Sequence, residues 1–323
     1  VTSGEIAELR ALIGGRRAAG DAATAPGARA RHVLREHALA RIAGELAETG
    51  LELLLVKGAA LALTHYHRPW LRDMADVDLV APPGAVDRAL AALVRAGCEL
   101  CDAPAGRPLT APALAERSLL WRAGALLVLV EVHSRLDKVV GRPVDYAAVM
   151  ARSTPVPDLR GLRVPDPVDH ALLVVLHAAN ASFAHPPAWM DLELLLRGGL
   201  DARTLRERAR AWRAETALWI ALSSLVALGS RAVPPELVAA IEPGRLRRLA
   251  LARGYRVGSI PVRLRSPEPG VGWVVAQTPV RDDLGRWLLG LTGYGALRVL
   301  ERILLARRVF APSDAPAARD GAD

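Results

Sequence analysis

The sequence predicts a mixed α/β part followed by a mainly α-helical part, and three observations carry that prediction. Before about residue 165, short apolar runs with strand character alternate with helical patterns: LELLLV at 51–56, DVDLVA at 76–81 and ALLVLVEVHSRL at 125–136. From 169 onward the pattern is helical, over roughly 169–180, 187–197, 201–229, 235–249 and 281–307. Between the two lies a proline-punctuated, loop-like segment, 137–168. The expected organisation is an N-terminal helix and linker over 1–30, an α/β domain over 31–165, a helical domain over 166–312 and a frayed tail over 313–323.

Taken in order, the elements follow from local chemistry. Residues 1–30 hold a short helix and then GGRRAAGDAATAPGA, a Gly/Ala-rich linker. A helix over 31–49 is closed by Gly50. LELLLV reads as a buried strand, and Lys57-Gly58 as the turn into the helix AALALTHYH. HRPWLRDMA is a loop, and the DVDLVA strand is stopped by Pro82-Pro83-Gly84. A helix over 85–96 ends at Gly97. The interval 98–124 suggests a short strand, a Pro-rich turn and a helix over about 112–119, and 255–280 resists assignment.

Composition narrows the function. The 323 residues are 51% hydrophobic and 24% charged, which describes a folded globular chain. The net charge of +8 comes from arginine, since Lys57 and Lys138 are the only lysines among 42 basic residues. Such a balance suits a polyanionic ligand such as a nucleoside triphosphate. With only two phenylalanines and four tyrosines, and no recognisable nucleic-acid-binding module, a duplex-binding or base-stacking surface is not expected. Cys98 and Cys101 form one C-x-x-C without the second ligand pair that zinc needs. No basic-then-apolar leader is visible, and ALWIALSSLVALG at 217–229 is too short to span a bilayer, so a cytoplasmic setting is the expectation.

The chemistry concentrates in two strands. Residues i and i+2 of a strand share a face, so Asp76 and Asp78 project together, roughly 6–7 Å apart at Cα. Two carboxylates that close call for a cation, and Mg²⁺ (or Mn²⁺) is the usual partner where phosphates complete the coordination. The third strand repeats the pattern, because the face carrying Leu127 and Leu129 ends in Glu131 and His133. If the two strands are neighbours, Asp76, Asp78 and Glu131 form one metal-binding cluster suited to two cations. Lys57-Gly58 supplies the complement: a mobile positive charge and a tight turn into a helix N-terminus, where anions are held. His133 can flank the metal or phosphate, or make a structural hydrogen bond. His170 and His177 share a helix face and read first as core or domain-contact residues. Asp191 can pair with an arginine or reach an acceptor cleft between the domains.

These residues resemble the uncharacterised bacterial nucleotidyltransferase family, within the polymerase-β-like nucleotidyltransferase superfamily. The resemblance runs through Lys57-Gly58, Arg72 before the acidic strand, Asp76-Val77-Asp78-Leu79-Val80, and Val130-Glu131-Val132-His133, then downstream through His170, His177, Trp189 and Asp191. It covers about residues 30–200. It implies a nucleotidyltransferase-like domain with a small mixed sheet, an NTP (ATP the expected one) bound with Mg²⁺, and transfer of a nucleoside monophosphate to a small-molecule or peptide acceptor, in natural-product biosynthesis for some members. On that reading Lys57, Gly58 and Arg72 bind the phosphates, and Asp76, Asp78 and Glu131 are catalytic. The usual Gly-Ser after the first strand is here Gly58-Ala59, and the interval to the first aspartate is longer than usual. Two alternatives use the same residues: a kinase-like phosphotransferase, and a non-catalytic peptide- or protein-binding subunit.

Overall fold

The computed structural model describes residues 26–72, 74–101, 115–137, 139–183, 185–254 and 271–309. The expected short N-terminal helix, most of the linker and the tail lie outside these residues. The first helix, α1 (Pro26–Thr49), starts within the predicted linker, with Pro26 at a first-turn position that needs no N–H donor. Then come β1 (Leu53–Val56), α2 (Lys57–Thr64), a 3₁₀ turn (Pro69–Leu71), β2 (Asp76–Val80), α3 (Val86–Arg95), β3 (Cys98–Leu100), β4 (Glu116–Ala123) and β5 (Leu126–His133). After α4 (Tyr146–Arg152), β6 (Thr154–Pro155) and β7 (Leu162–Val164) the chain is helical: α5 (Pro167–Asn180), α6 (Pro186–Arg197), α7 (Ala202–Ala211), α8 (Glu215–Ala227), α9 (Pro235–Ala240), α10 (Arg245–Gly254), α11 (Val271–Gln277) and α12 (Leu284–Val309).

Seven strands form one mixed sheet in the order β3-β4-β5-β2-β1-β7-β6. β1 runs antiparallel to β2 and parallel to β7, β2 runs parallel to β5, and β4 lies antiparallel between β3 and β5. The chain thus has an N-terminal α/β region built on a small mixed sheet and a mainly helical region after it.

Strand periodicity gives the sheet two apolar faces, each with its own core. Leu53, Leu55, Val77, Leu79, Val128, Val130, Val132, Leu119 and Trp121 point to one face, where Leu39, Ile42 and Leu46 of α1 and Ala89, Ala92 and Leu93 of α3 cover them. Leu54, Val56 and Val80 point the other way, onto Leu172, Leu173 and Leu176 of α5 and Trp189 and Leu192 of α6. Each fully buried leucine contributes roughly 1.5–3 kcal/mol, so this shared core ties the helices firmly to the sheet. At the turn between β6 and β7, Gly161 has φ +83°, and a Cβ there would meet the Leu46 Cβ at 2.5 Å, so only glycine lets α1 and β7 approach this closely.

Several local expectations change: the helix expected over 201–229 is two, α7 and α8, and that over 235–249 is also two, α9 and α10. Residues 116–119 of the predicted helix are strand, because Leu119 and Trp121 alternate inward and pair with Val130 and Val128 of β5. The stretch read as loop over 137–168 contains α4, β6 and β7, with Asp145 capping α4 through the Ala148 N–H (3.0 Å). Of the unassigned interval 255–280, residues 271–277 are helical and 255–270 lie outside the described residues. Among the described residues, no helix is long and apolar enough to cross a membrane.

Candidate active site

The helices cover only part of the second sheet face. Toward β2 and β5 that face stays open, and there the strands replace leucine and valine with acids. Register sets Asp78 beside Glu131, Asp76 beside Leu129 and Val80 beside His133 on the parallel pair, while β4 brings Glu116 opposite His133. A cleft of about 600 Å³ lies between this edge and the helical region. Asp76, Asp78 and Leu127 line its sheet wall, Lys57, Gly58 and Arg72 its end, Arg31 and Arg35 of α1 one flank, and His177, His185 and Asp191 the helical wall.

Asp78 is the centre. Its side chain is 3% exposed, and its Oδ1 takes both the Lys57 Nζ at 2.6 Å and the His133 Nε2 at 2.8 Å. Burial disfavours its charge, but the imidazole and ammonium more than offset this and hold the carboxyl well below the usual range. Its neighbours behave oppositely. Burial and then the Asp78 charge push Asp76 up, while burial, Glu116 and Asp78 push Glu131 up. A cation placed among them would relieve this repulsion. Ligand atoms of Asp78, Glu131 and His133 lie within 4.8 Å of one another, and the His133 Nε2 stands 3.5 Å from a Glu131 oxygen. Asp76 is outside that group but shares its face and faces the cleft. The donor set of carboxylates and imidazole therefore fits a divalent cation.

Lys57 takes an unusual backbone to reach its partner. It opens α2 with φ +53°, the left-handed region, which costs a non-glycine residue about 1–2 kcal/mol. The ring of His170 on α5 lies near the Lys57 backbone, and burial followed by the charge of His65 lowers His170 to about 4. His170 is thus a neutral, buried core residue at pH 7.

Arg72 points away from open solvent. Its Nε and Nη2 bind both oxygens of Asp191 (2.9 and 2.7 Å), and the Tyr66 hydroxyl donates to the same carboxylate at 3.1 Å. Burial opposes the guanidinium charge, but Asp191 outweighs it and raises Arg72 further. The guanidinium lies over Gly58, where a Cβ would approach it to 3.2 Å. Arg72 and Asp191 thus join the loop before β2 to α6 across the cleft. Arg35 donates to the Met74 carbonyl and fixes the last turn of that loop.

On the helical wall the rings of His177 and His185 meet edge to face at 4.9 Å. Burial and nearby positive charge, Lys57 for His177 and Arg72 for His185, lower both, His185 to about 4. Each is a neutral imidazole at pH 7, with one donor and one acceptor nitrogen.

The sequence reading missed four residues at this site. Glu116 sits on the strand mistaken for helix, and reading its inward Leu119-x-Trp121 alternation would have placed it. Arg31 and Arg35 were hidden among 40 arginines, although their i,i+4 spacing puts both on one face of α1. His185 precedes two prolines and carried no motif.

A family profile described as "Uncharacterised nucleotidyltransferase" matches residues 23–228, from the start of α1 through the end of α8. No curated protein and no solved structure matches. The matched segment contains the acidic sheet edge, the Lys57-Gly58 turn and both walls of the cleft. The chain belongs to the uncharacterised nucleotidyltransferase family of the polymerase-β-like superfamily.

Proposed function

We propose that the protein transfers a nucleoside monophosphate from an NTP, with ATP the first to test, to a hydroxyl of a small-molecule or peptide acceptor. The observation that carries this reading is the clustering of Asp78 with Glu131 and His133 beside a cleft whose lining includes Asp76, Asp78 and Lys57. At about 600 Å³ the cleft is of a size that holds a nucleotide or a comparable small molecule.

Asp76 and Asp78 would hold Mg²⁺ with the triphosphate, and Asp78 and Glu131 a second ion. Divalent cations there would neutralise phosphate charge and make the acceptor hydroxyl more acidic. The remaining work falls to this chain's side chains. Lys57, once released from Asp78, neutralises the departing phosphates. Arg31 and Arg35 add positive charge on the flank, and Arg72, held by Asp191, keeps the loop before Asp76 in place. His177 and His185 orient the acceptor with neutral hydrogen-bonding groups. The hydroxyl oxygen bonds to the α-phosphorus, the bond from that phosphorus to the α,β-bridging oxygen breaks, and pyrophosphate leaves. The hydroxyl proton passes to Glu131. Positioning and charge neutralisation dominate such a reaction.

The test is incubation with α- and γ-labelled ATP and a panel of hydroxyl and peptide acceptors, with products read by mass spectrometry. Nucleotidyl transfer puts the α label on the acceptor and the γ label in pyrophosphate. Appearance of the γ label on the acceptor would assign phosphoryl transfer instead.

A further inference from the structure

The proposed reaction needs cations, but the geometry says more about one of their sites than the reaction requires. A site for Mg²⁺ alone is normally all oxygen, because this hard ion prefers carboxylate, carbonyl, phosphate and water. The inner group here is not all oxygen. His133 is buried, and its Nε2 is directed at Asp78 (2.8 Å) and Glu131 (3.5 Å). On its other side the Nδ1 faces Glu116 at 4.0 Å, too far for a hydrogen bond but close enough for the carboxylate charge to favour a proton on that nitrogen and leave Nε2 for a metal.

A second, independent observation marks the place of a cation. The Lys57 ammonium already lies on the Asp78 oxygen that His133 contacts, at 2.6 Å, with its side chain 14% exposed. To put it there the chain accepts a left-handed backbone at a lysine, where a glycine would relieve the strain. Lysine is a flexible point charge on a four-carbon stem, so it can withdraw into the cleft without moving β2.

We infer that Asp78, Glu131 and His133 form a mixed nitrogen–oxygen site for an imidazole-tolerant divalent ion such as Mn²⁺ or Co²⁺, and that the Lys57 ammonium holds the cation's place until the ion displaces it. The inference deepens the nucleotidyltransferase reading by naming the ion class and the exchange, but its test needs neither nucleotide nor turnover. Asp76, on the cleft side, is left for the ion that arrives with the triphosphate. Lys57 then has two positions. It neutralises Asp78 in the empty protein, and it is free for phosphate only after the inner ion binds.

The experiment uses the full chain with Mn²⁺ alone. Pulsed EPR should show a directly bound imidazole nitrogen, and labelling histidine with ¹⁵N should convert the ¹⁴N coupling into a ¹⁵N one without any substitution. His133→Asn should abolish the coupling and weaken Mn²⁺ binding about tenfold or more, with Mg²⁺ binding little altered. Lys57→Met should tighten Mn²⁺ binding by about tenfold, because it removes a competing charge from the same oxygen. An Mn²⁺ spectrum without histidine nitrogen, or unchanged or weaker binding by the methionine variant, overturns the inference. These failures leave nucleotidyl transfer standing if the α label still reaches an acceptor. Conversely, histidine-bound Mn²⁺ without transfer of either label removes the nucleotidyltransferase reading and keeps the site.

Discussion

Two buried aspartates in this molecule each face two positive or proton-bearing partners, and they are built differently. Asp137, just after β5, accepts the Arg142 backbone N–H (2.8 Å) and the Arg142 Nη1 (2.8 Å), with the Arg281 guanidinium 3.7 Å away. Arg281 in turn stacks over Trp287 at 4.3 Å and donates to the Val140 carbonyl. Every group there is held by backbone or by a planar fork, and the cluster joins the end of the sheet region to α12. Asp78 is held instead by an ammonium on a flexible stem and by an imidazole, two groups that can turn to a different partner. The difference teaches that burial and charge pairing alone do not mark a functional acid. On the proposed reading, what sets Asp78 apart is that its partners, an ammonium and an imidazole, can exchange.

The largest expected effect tests the exchangeable side. Asp78→Asn deletes a charge but little volume, and should cut nucleotidyl transfer by at least about 10³-fold, roughly 4 kcal/mol of barrier. The fold should survive, as followed by thermal melting beside steady-state rates. A variant that retains wild-type kcat/KM would end the assignment of Asp78.

The fixed side should show the opposite split. Asp137→Ala strands two buried arginines and should cost about 3–5 kcal/mol in denaturant unfolding. If it costs less than Asp78→Asn, the proposed contrast between the two clusters is wrong.

A third measurement sharpens the boundary, because His170 is buried in the core near the Lys57 backbone. Its folded-state value, about 4, is below the ordinary 6.5, so the unfolded chain binds the proton more readily. Stability from this group is complete above pH 6.5 and is lost as pH falls toward 4, by about 2 kcal/mol between pH 7.5 and 5. Asp169, pushed up to about 6 by burial and Asp166, works in the other direction. The informative quantity is therefore the difference between wild type and His170→Gln. The variant should lose the acid-side slope that His170 contributes, and an identical pH profile would refute that role.

The smallest effect concerns Gly58. Alanine is the better helix former by about 1 kcal/mol, but its Cβ would press on a guanidinium anchored by Asp191. Gly58→Ala should leave stability unchanged or lower it by up to about 1 kcal/mol. A clear gain in melting temperature would show that Arg72 yields and is a loose rather than a fixed partner.

How much of this was legible beforehand depended on sequence distance. Asp76-x-Asp78 and Glu131-x-His133 were readable because a period of two sets their shared face whatever surrounds them. Lys57 stood out by rarity, but its left-handed backbone belongs to the β1–α2 junction, and its partner Asp78 is fixed only by the pairing of β1 with β2. The strand at 116–123 was hidden because Glu, Arg and Leu favour helices locally, and only pairing with β5 overrides that preference. Pairings such as Arg72–Asp191 and Asp137–Arg281 join partners 119 and 144 residues apart. Nothing local selects one arginine from 40 for such a role.

If the cleft takes the proposed nucleoside triphosphate, its lining bears on which base is accepted. Among the described residues that form it, the only rings besides proline are the imidazoles of His177 and His185, and none is Phe, Tyr or Trp. A purine or pyrimidine there would lie against aliphatic carbon, guanidinium planes and imidazole, surfaces that accept any flat heterocycle. Discrimination among the four ribonucleotides should therefore be shallow, within about tenfold in kcat/KM, with selectivity residing in the acceptor.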